Sequence, residues 1–125
     1  MQTFTKAERL SSKVAIDKLF ETGKSFHSAP FKICWLETIG SKSPAQIVIS
    51  IPKRLFKKAV ERNRLKRLIR EAYRKNKKLL YEKLENKKVH LMFIYTSNKM
   101  VEYKEMEEKI IVALQRLSKS INPES

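Results

Sequence analysis

Disulfides are out of reach for this chain, because Cys34 is the one cysteine among 125 residues. A lone thiol fits a reducing compartment, and in a core it behaves as a small hydrophobe. Two glycines and four prolines exclude collagen-like and low-complexity sequence. No stretch approaches the roughly 18 apolar residues of a membrane-spanning helix. The start, Met1-Gln2-Thr3-Phe4-Thr5-Lys6, lacks the apolar run of a signal peptide. A soluble, cytoplasmic protein is therefore expected. Catalytic constellations are missing too. There is no glycine-rich phosphate loop, and His27 and His90 are isolated. The acids Glu102, Glu105, Glu107 and Glu108 most simply complement the start of a helix. Zinc sites and protein-based metal nucleases need converging ligands. No such spacing occurs, so no catalytic residue, metal ligand or protein-bound cofactor is expected.

What is present is apolar content sufficient for a core (42%) and a large positive charge. Residues 1–125 suit one domain. The formal charge is +15, from 28 Lys+Arg against 13 Asp+Glu, which implies a polyanionic partner: RNA, DNA or an anionic membrane.

Periodicity gives a coarse layout. Residues 1–11 read as an extended arm. Ser12 can cap a short helix with Ile16, Leu19 and Phe20 on one face, and Gly23 stands where that helix ends. Phe31–Glu37 alternates as a strand, with Phe31, Ile33 and Trp35 opposite Lys32, Cys34 and Leu36. Gln46–Ile51 is a second strand, and the short turn between them predicts an antiparallel hairpin. Residues 59–83 read as one helix, with a stripe formed by Leu65, Leu68, Ile69, Ala72, Tyr73, Leu79 and Leu80. Val89–Thr96 is apolar enough to be buried on both faces. A last helix over 101–118 turns Tyr103, Met106, Ile110, Leu114 and Leu117 inward, and 119–125 reads as a flexible tail. The order α-β-β-α-β-α gives an α+β class, a two-layer sandwich.

The charge is concentrated. Residues 53–78 carry 13 Lys+Arg and two acids, whereas the other 99 residues supply only +4. On a helix, Asn63, Arg67, Arg70, Arg74, Lys77 and Lys78 share one side, flanked by Arg64 and Lys66, with the apolar stripe opposite. Arginine forks bind phosphate bidentately and stack on bases, and Asn63 can read a base edge or a ribose hydroxyl. Solvated faces usually interleave glutamate with lysine, and this one hardly does. A membrane-surface helix would need its apolar side free, but the sheet needs that side for the core.

A second surface lies on the strands. With Ile47, Ile49 and Ile51 inward, Gln46, Val48 and Ser50 face out beside Lys32 and Cys34, bordered by Phe20, Lys53 and Arg54. A groove with an aromatic ring and cations suits a single strand of nucleic acid. Periodicity alone favours Phe20 as ordinary core.

The run from Lys57 to Glu71, KKAVERNRLKRLIRE, resembles the signature of the bacterial ribonuclease P protein: Ala-Val-x-Arg-Asn-Arg-x-Lys-Arg-x-x-Arg-Glu. Arg9-Leu10, Phe20, Gly23, Ser50, Lys53 and Arg54 extend the resemblance over nearly the whole chain. The resemblance implies a small mixed sheet with a left-handed β-α-β crossover. It implies a protein that works in an RNA-based endoribonuclease, with Arg62, Asn63, Arg64, Lys66, Arg67, Arg70 and Arg74 on the catalytic RNA subunit. It places the 5′ leader of precursor tRNA on Phe20, Lys32, Ser50, Lys53 and Arg54. Mg2+ would act through the RNA subunit, and no membrane or obligate protein partner is implied. Many members carry aromatics where this chain has Ile16 and near Cys34, so leader contact would lean on Phe20 and cations. Many also carry glycine before Ala-Val, where Phe56-Lys57-Lys58 stands. A ribosomal protein or RNA chaperone, a self-sufficient nuclease and a DNA-binding helix are the rival classes.

Overall fold

The computed structural model describes residues 4–123. A 3-10 turn at Lys6–Glu8 precedes α1 (Lys13–Thr22), β1 (Lys24–Ser28), β2 (Phe31–Thr38), β3 (Ala45–Ser50), α2 (Ala59–Asn76), α3 (Lys78–Leu84), β4 (Lys88–Tyr95) and α4 (Tyr103–Ile121). The fold is α+β, with a four-stranded mixed sheet in the order β1-β2-β4-β3.

The strand order corrects the predicted hairpin. β2 and β3 are not neighbours: β4 lies between them, antiparallel to β2 and parallel to β3. Physically, β4 is apolar on both faces, so it is placed centrally, and a central strand needs two neighbours. The antiparallel hairpin is instead β1–β2, turning at Ala29-Pro30, whose peptide bond is cis. Strand β1 was not predicted, because Lys24-Ser25-Phe26-His27-Ser28 offers one strong hydrophobe and no alternating run.

One sheet face carries the main core. Phe31, Ile33 and Trp35, with Ile47 and Ile51, and Val89, Leu91, Phe93 and Tyr95, pack against Leu65, Ile69 and Tyr73 of α2 and the inner face of α4. Complete burial of each large side chain contributes about 1.5–3 kcal/mol. Packing through three such residues, Leu65, Ile69 and Tyr73, therefore fixes which side of α2 faces out. The other sheet face carries a small cluster of Leu10, Leu19, Cys34 and Met92 beneath α1. Helix α1 thus adds a partial third layer to the expected two. Burial pushes the Cys34 thiol up, against the opposing charge of Lys32.

Local chemistry sets the ends of α1. Ser12 Oγ accepts from the Ala15 amide at 3.3 Å. Gly23 closes the helix in extended rather than left-handed backbone (φ −70°). Glycine is needed there for space, since a Cβ would lie 2.4 Å from the Leu19 carbonyl oxygen.

Three boundaries differ from expectation. The long basic helix breaks at Lys77 into α2 and α3. The Asn76 side chain donates to the Ala72 carbonyl, competing with the helical backbone, and Lys77 turns toward Glu8. Leu79 is consequently partly exposed while Leu80 is buried. The predicted tail begins too early: α4 continues to Ile121, which is buried, and the Asn122 side chain donates to the Lys83 carbonyl. Residues 124–125 lie outside the described residues, as do 1–3 of the arm. The rest of the arm is docked rather than simply extended. The Leu10 amide donates to the Ile47 carbonyl at 2.8 Å, and Gln46 Nε2 donates to the Ala7 carbonyl at 2.9 Å, along the outer edge of β3. Among the described residues, no helix is long and apolar enough to cross a membrane.

Candidate nucleic-acid interface

The basic helix presents its cations as its burial dictates, but over a shorter stretch than the periodicity predicts. Asn63, Arg64, Arg67 and Arg70 are exposed. Arg67 and Arg70 have no ion pair among the described residues. Arg64 reaches Glu102 at 3.6 Å, with half of its own side chain and 87% of the glutamate's in solvent. Such a pair is worth little and is readily exchanged. Lys66 is half-buried beside Arg70.

Toward either end the cations are taken internally. Arg62 donates to the carbonyls of Phe56 and Lys57 at 2.7 and 2.8 Å. It braces the start of α2, where Lys58 at the cap supplies no side-chain acceptor. Arg74 grips Glu71 through both ends of its guanidinium, and that hydrogen bond, opposed by some desolvation, holds Glu71 below the usual carboxylate range. Lys77 is sequestered by Glu8, whereas Lys78, on the next helix, meets Glu82 at 3.7 Å in a pair mostly in solvent and as readily exchanged as that of Arg64. The face of α2 that offers uncommitted charge therefore centres on Asn63–Arg70.

Two concavities flank this face. A pocket of about 150 Å³ lies between the docked arm, β3 and α2, where Arg9, Lys66 and Arg70 meet over Ile47 and Ile49. Arg9 was noted in the sequence only for its resemblance. Another, of about 390 Å³, lies between the first turns of α2 and the loop before α4, lined by Val60, Glu61, Asn63, Arg64, Arg67 and Met100. Sequence reasoning missed Val60 and Met100, because an isolated apolar residue on a basic helix or in a loop carries no periodic signal.

The second surface forms on the face beneath α1. Register pairs Lys32 with Ile94 and Ser50 with the same Ile94, so the three side chains make one row across β2, β4 and β3. Lys53 and Arg54 are exposed in the turn that follows β3. Phe20 is 65% exposed on α1, which removes its reading as core. Deeper on the same face, His90 hydrogen-bonds Gln46 at 3.1 Å, and burial with the nearby Lys18 charge holds the imidazole below its ordinary value. It is therefore neutral near pH 7. Among the described residues, no three His, Cys, Asp or Glu side chains converge as a metal site.

The sequence and the fold have known counterparts. The ribonuclease P family pattern matches residues 4–118. A ribonuclease P protein component from Porphyromonas gingivalis is 32% identical over 122 residues, covering 94% of this chain and 88% of that protein. The corresponding Thermotoga maritima protein is 28% identical, over 93% of this chain and 97% of its own length. A solved structure of a T. maritima RNase P protein superposes with a TM-score of 0.71 at 24% identity, covering 87% of this chain and 96% of that one. The Staphylococcus aureus RNase P protein gives 0.70 at 20% identity, over 94% of this chain and all of that one.

Proposed function

The chain belongs to the ribonuclease P protein family, and on that premise we propose that it docks on a catalytic RNA subunit and holds the 5′ leader of precursor tRNA while the leader is cut off. The outward cations of α2 take the RNA subunit: Asn63, Arg64, Lys66, Arg67 and Arg70, with Arg62 bracing the helix start and Arg74 at the far margin. The sheet face beside α1 takes the leader, with Phe20 stacking on a base while Lys32, Ser50, Lys53 and Arg54 contact phosphates and sugars. The phosphodiester chemistry lies with the RNA, as does the Mg2+ it requires.

The observation that carries this reading is the division of α2 into a buried apolar side and an exposed side rich in uncommitted arginine. Arginine pairs with phosphate at low ordering cost. A protein that holds both partners makes leader contact effectively intramolecular and raises its local concentration at the cleavage site. It also discriminates substrate from product, because mature tRNA has no leader to hold. The test is a competition binding assay. Labelled ribonuclease P RNA should outcompete an equal length of unrelated structured RNA at physiological salt. Equal affinity for both would favour a general RNA chaperone.

A further inference from the structure

We propose that the pocket between α2 and the loop before α4 is a seat for one unpaired nucleobase of the RNA partner, with Arg64 and Arg67 on its flanking phosphates. This deepens the docking reading given above and rests on it. The pocket mixes chemistries that an anion alone would not require. Val60 is 73% exposed and Met100 36% exposed, and both line it. Apolar side chains on both elements offer faces for a flat base, which a sulfate or a lone phosphate would not use. Glu61 also lines it, and a carboxylate repels phosphate but accepts from the amino group of a base. Asn63 supplies a donor and an acceptor on the same wall. Arg64 and Arg67 also line it, cations for the backbone and planar surfaces on which a base can stack.

The free protein already holds a stand-in for the phosphate. Glu102, at the cap of α4, sits 3.6 Å from Arg64 in a pair that is mostly in solvent. A phosphate can displace it at small cost. The loop that carries Met100 is braced rather than loose: the Tyr95 hydroxyl donates to the Lys99 carbonyl at 2.8 Å, and the Lys99 amide donates to Ser97 Oγ at 3.1 Å. The pocket is thus formed before RNA arrives, and the docking surface extends from α2 onto the β4–α4 loop.

The test uses the full chain and ribonuclease P RNA transcribed in vitro, with affinity measured by filter binding across a salt series. The Val60→Ala/Met100→Ala double variant should bind roughly fivefold more weakly, the scale of losing a partial base stack, with an unchanged salt slope. Alanine is the stronger helix former at position 60, and circular dichroism checks that the double variant is folded. Glu102→Gln should tighten binding more than Glu82→Gln, which removes a glutamate paired at a similar distance, 3.7 Å, with Lys78 on α3. Unchanged affinity in the double variant, or equal gains from the two glutamine variants, overturns the seat while leaving the docking helix standing. If Arg64→Ala and Arg67→Ala also fail to weaken binding, the docking reading falls with it.

Discussion

Glu8 and Lys77, 69 positions apart in the chain, meet at 2.7 Å in the interior. Glu8 is 4% exposed, and its carboxylate also accepts from the Tyr81 hydroxyl and the Thr5 amide. The pair locks the N-terminal arm against the α2–α3 junction and so fixes where Arg9 stands relative to Lys66 and Arg70. Burial alone would push Glu8 up, but the hydrogen bonds from Lys77, Thr5 and Tyr81 and the charge of Lys77 outweigh it and hold the carboxyl below its ordinary value of 4.5. Tyr81, partly buried and donating to that carboxylate, is pushed up to about 12.

Removing one partner strands the other. Glu8→Ala should cost about 2–3 kcal/mol in urea denaturation, because a largely buried ammonium loses its counter-charge. A loss below about 0.5 kcal/mol would show that the arm is not locked by this contact.

The same pair predicts a pH dependence with a definite sign. The folded carboxyl titrates below the unfolded one, so its contribution is complete above about pH 4.5 and is lost as pH falls through the lower folded value. Between pH 6 and pH 3 the native protein should therefore lose more stability than Glu8→Gln does. Parallel curves would assign the acid sensitivity to other carboxylates.

The arginines of α2 should separate by their partners. Alanine at Arg64, Arg67 or Arg70 should weaken RNA-subunit binding and make the log–log salt slope shallower by roughly 0.7–0.9 per lost phosphate contact. Alanine at exposed Lys119, away from the cluster, should do neither. Arg62→Ala should instead lower the thermal midpoint, since that side chain caps two carbonyls before the helix. Equal binding losses at Arg64, Arg67, Arg70 and Lys119 would indicate non-specific charge.

Phe20 offers the cleanest probe of the leader face. As it is mostly in solvent, Phe20→Leu should leave stability within about 0.5 kcal/mol. In the assembled enzyme it should weaken binding of leader-bearing precursor tRNA by about 1–3 kcal/mol and leave mature tRNA unaffected. Equal weakening of both tRNAs would place the leader elsewhere.

These side chains also mark how far the sequence alone could lead. Inner faces were legible wherever the period was clean: Ile33 and Trp35 on β2, and Leu65, Ile69 and Tyr73 on α2, are buried as their spacing requires. Strand order was not legible from the short Gly40–Pro44 link, which constrains only distance. The doubly apolar run of β4 did contain the missing clue, since a strand buried on both faces must be central. The docking side of α2 was visible as a charge stripe, but its true length was not. Arg74 and Lys77 share the stripe's periodicity with Arg67 and Arg70, and only the fold brings Glu8 to Lys77. The base-sized pocket depends on Val60 and Met100, 40 positions apart, and no local pattern joins them.

The central claim is that this protein serves an RNA catalyst, and cleavage of precursor tRNA at low Mg2+ tests it most directly. Ribonuclease P RNA from the same source should cleave slowly alone at low Mg2+ and markedly faster with this protein added, whereas the protein by itself should release no leader. Robust cleavage by RNA-free protein, or no stimulation of the RNA at any protein concentration, would contradict the account.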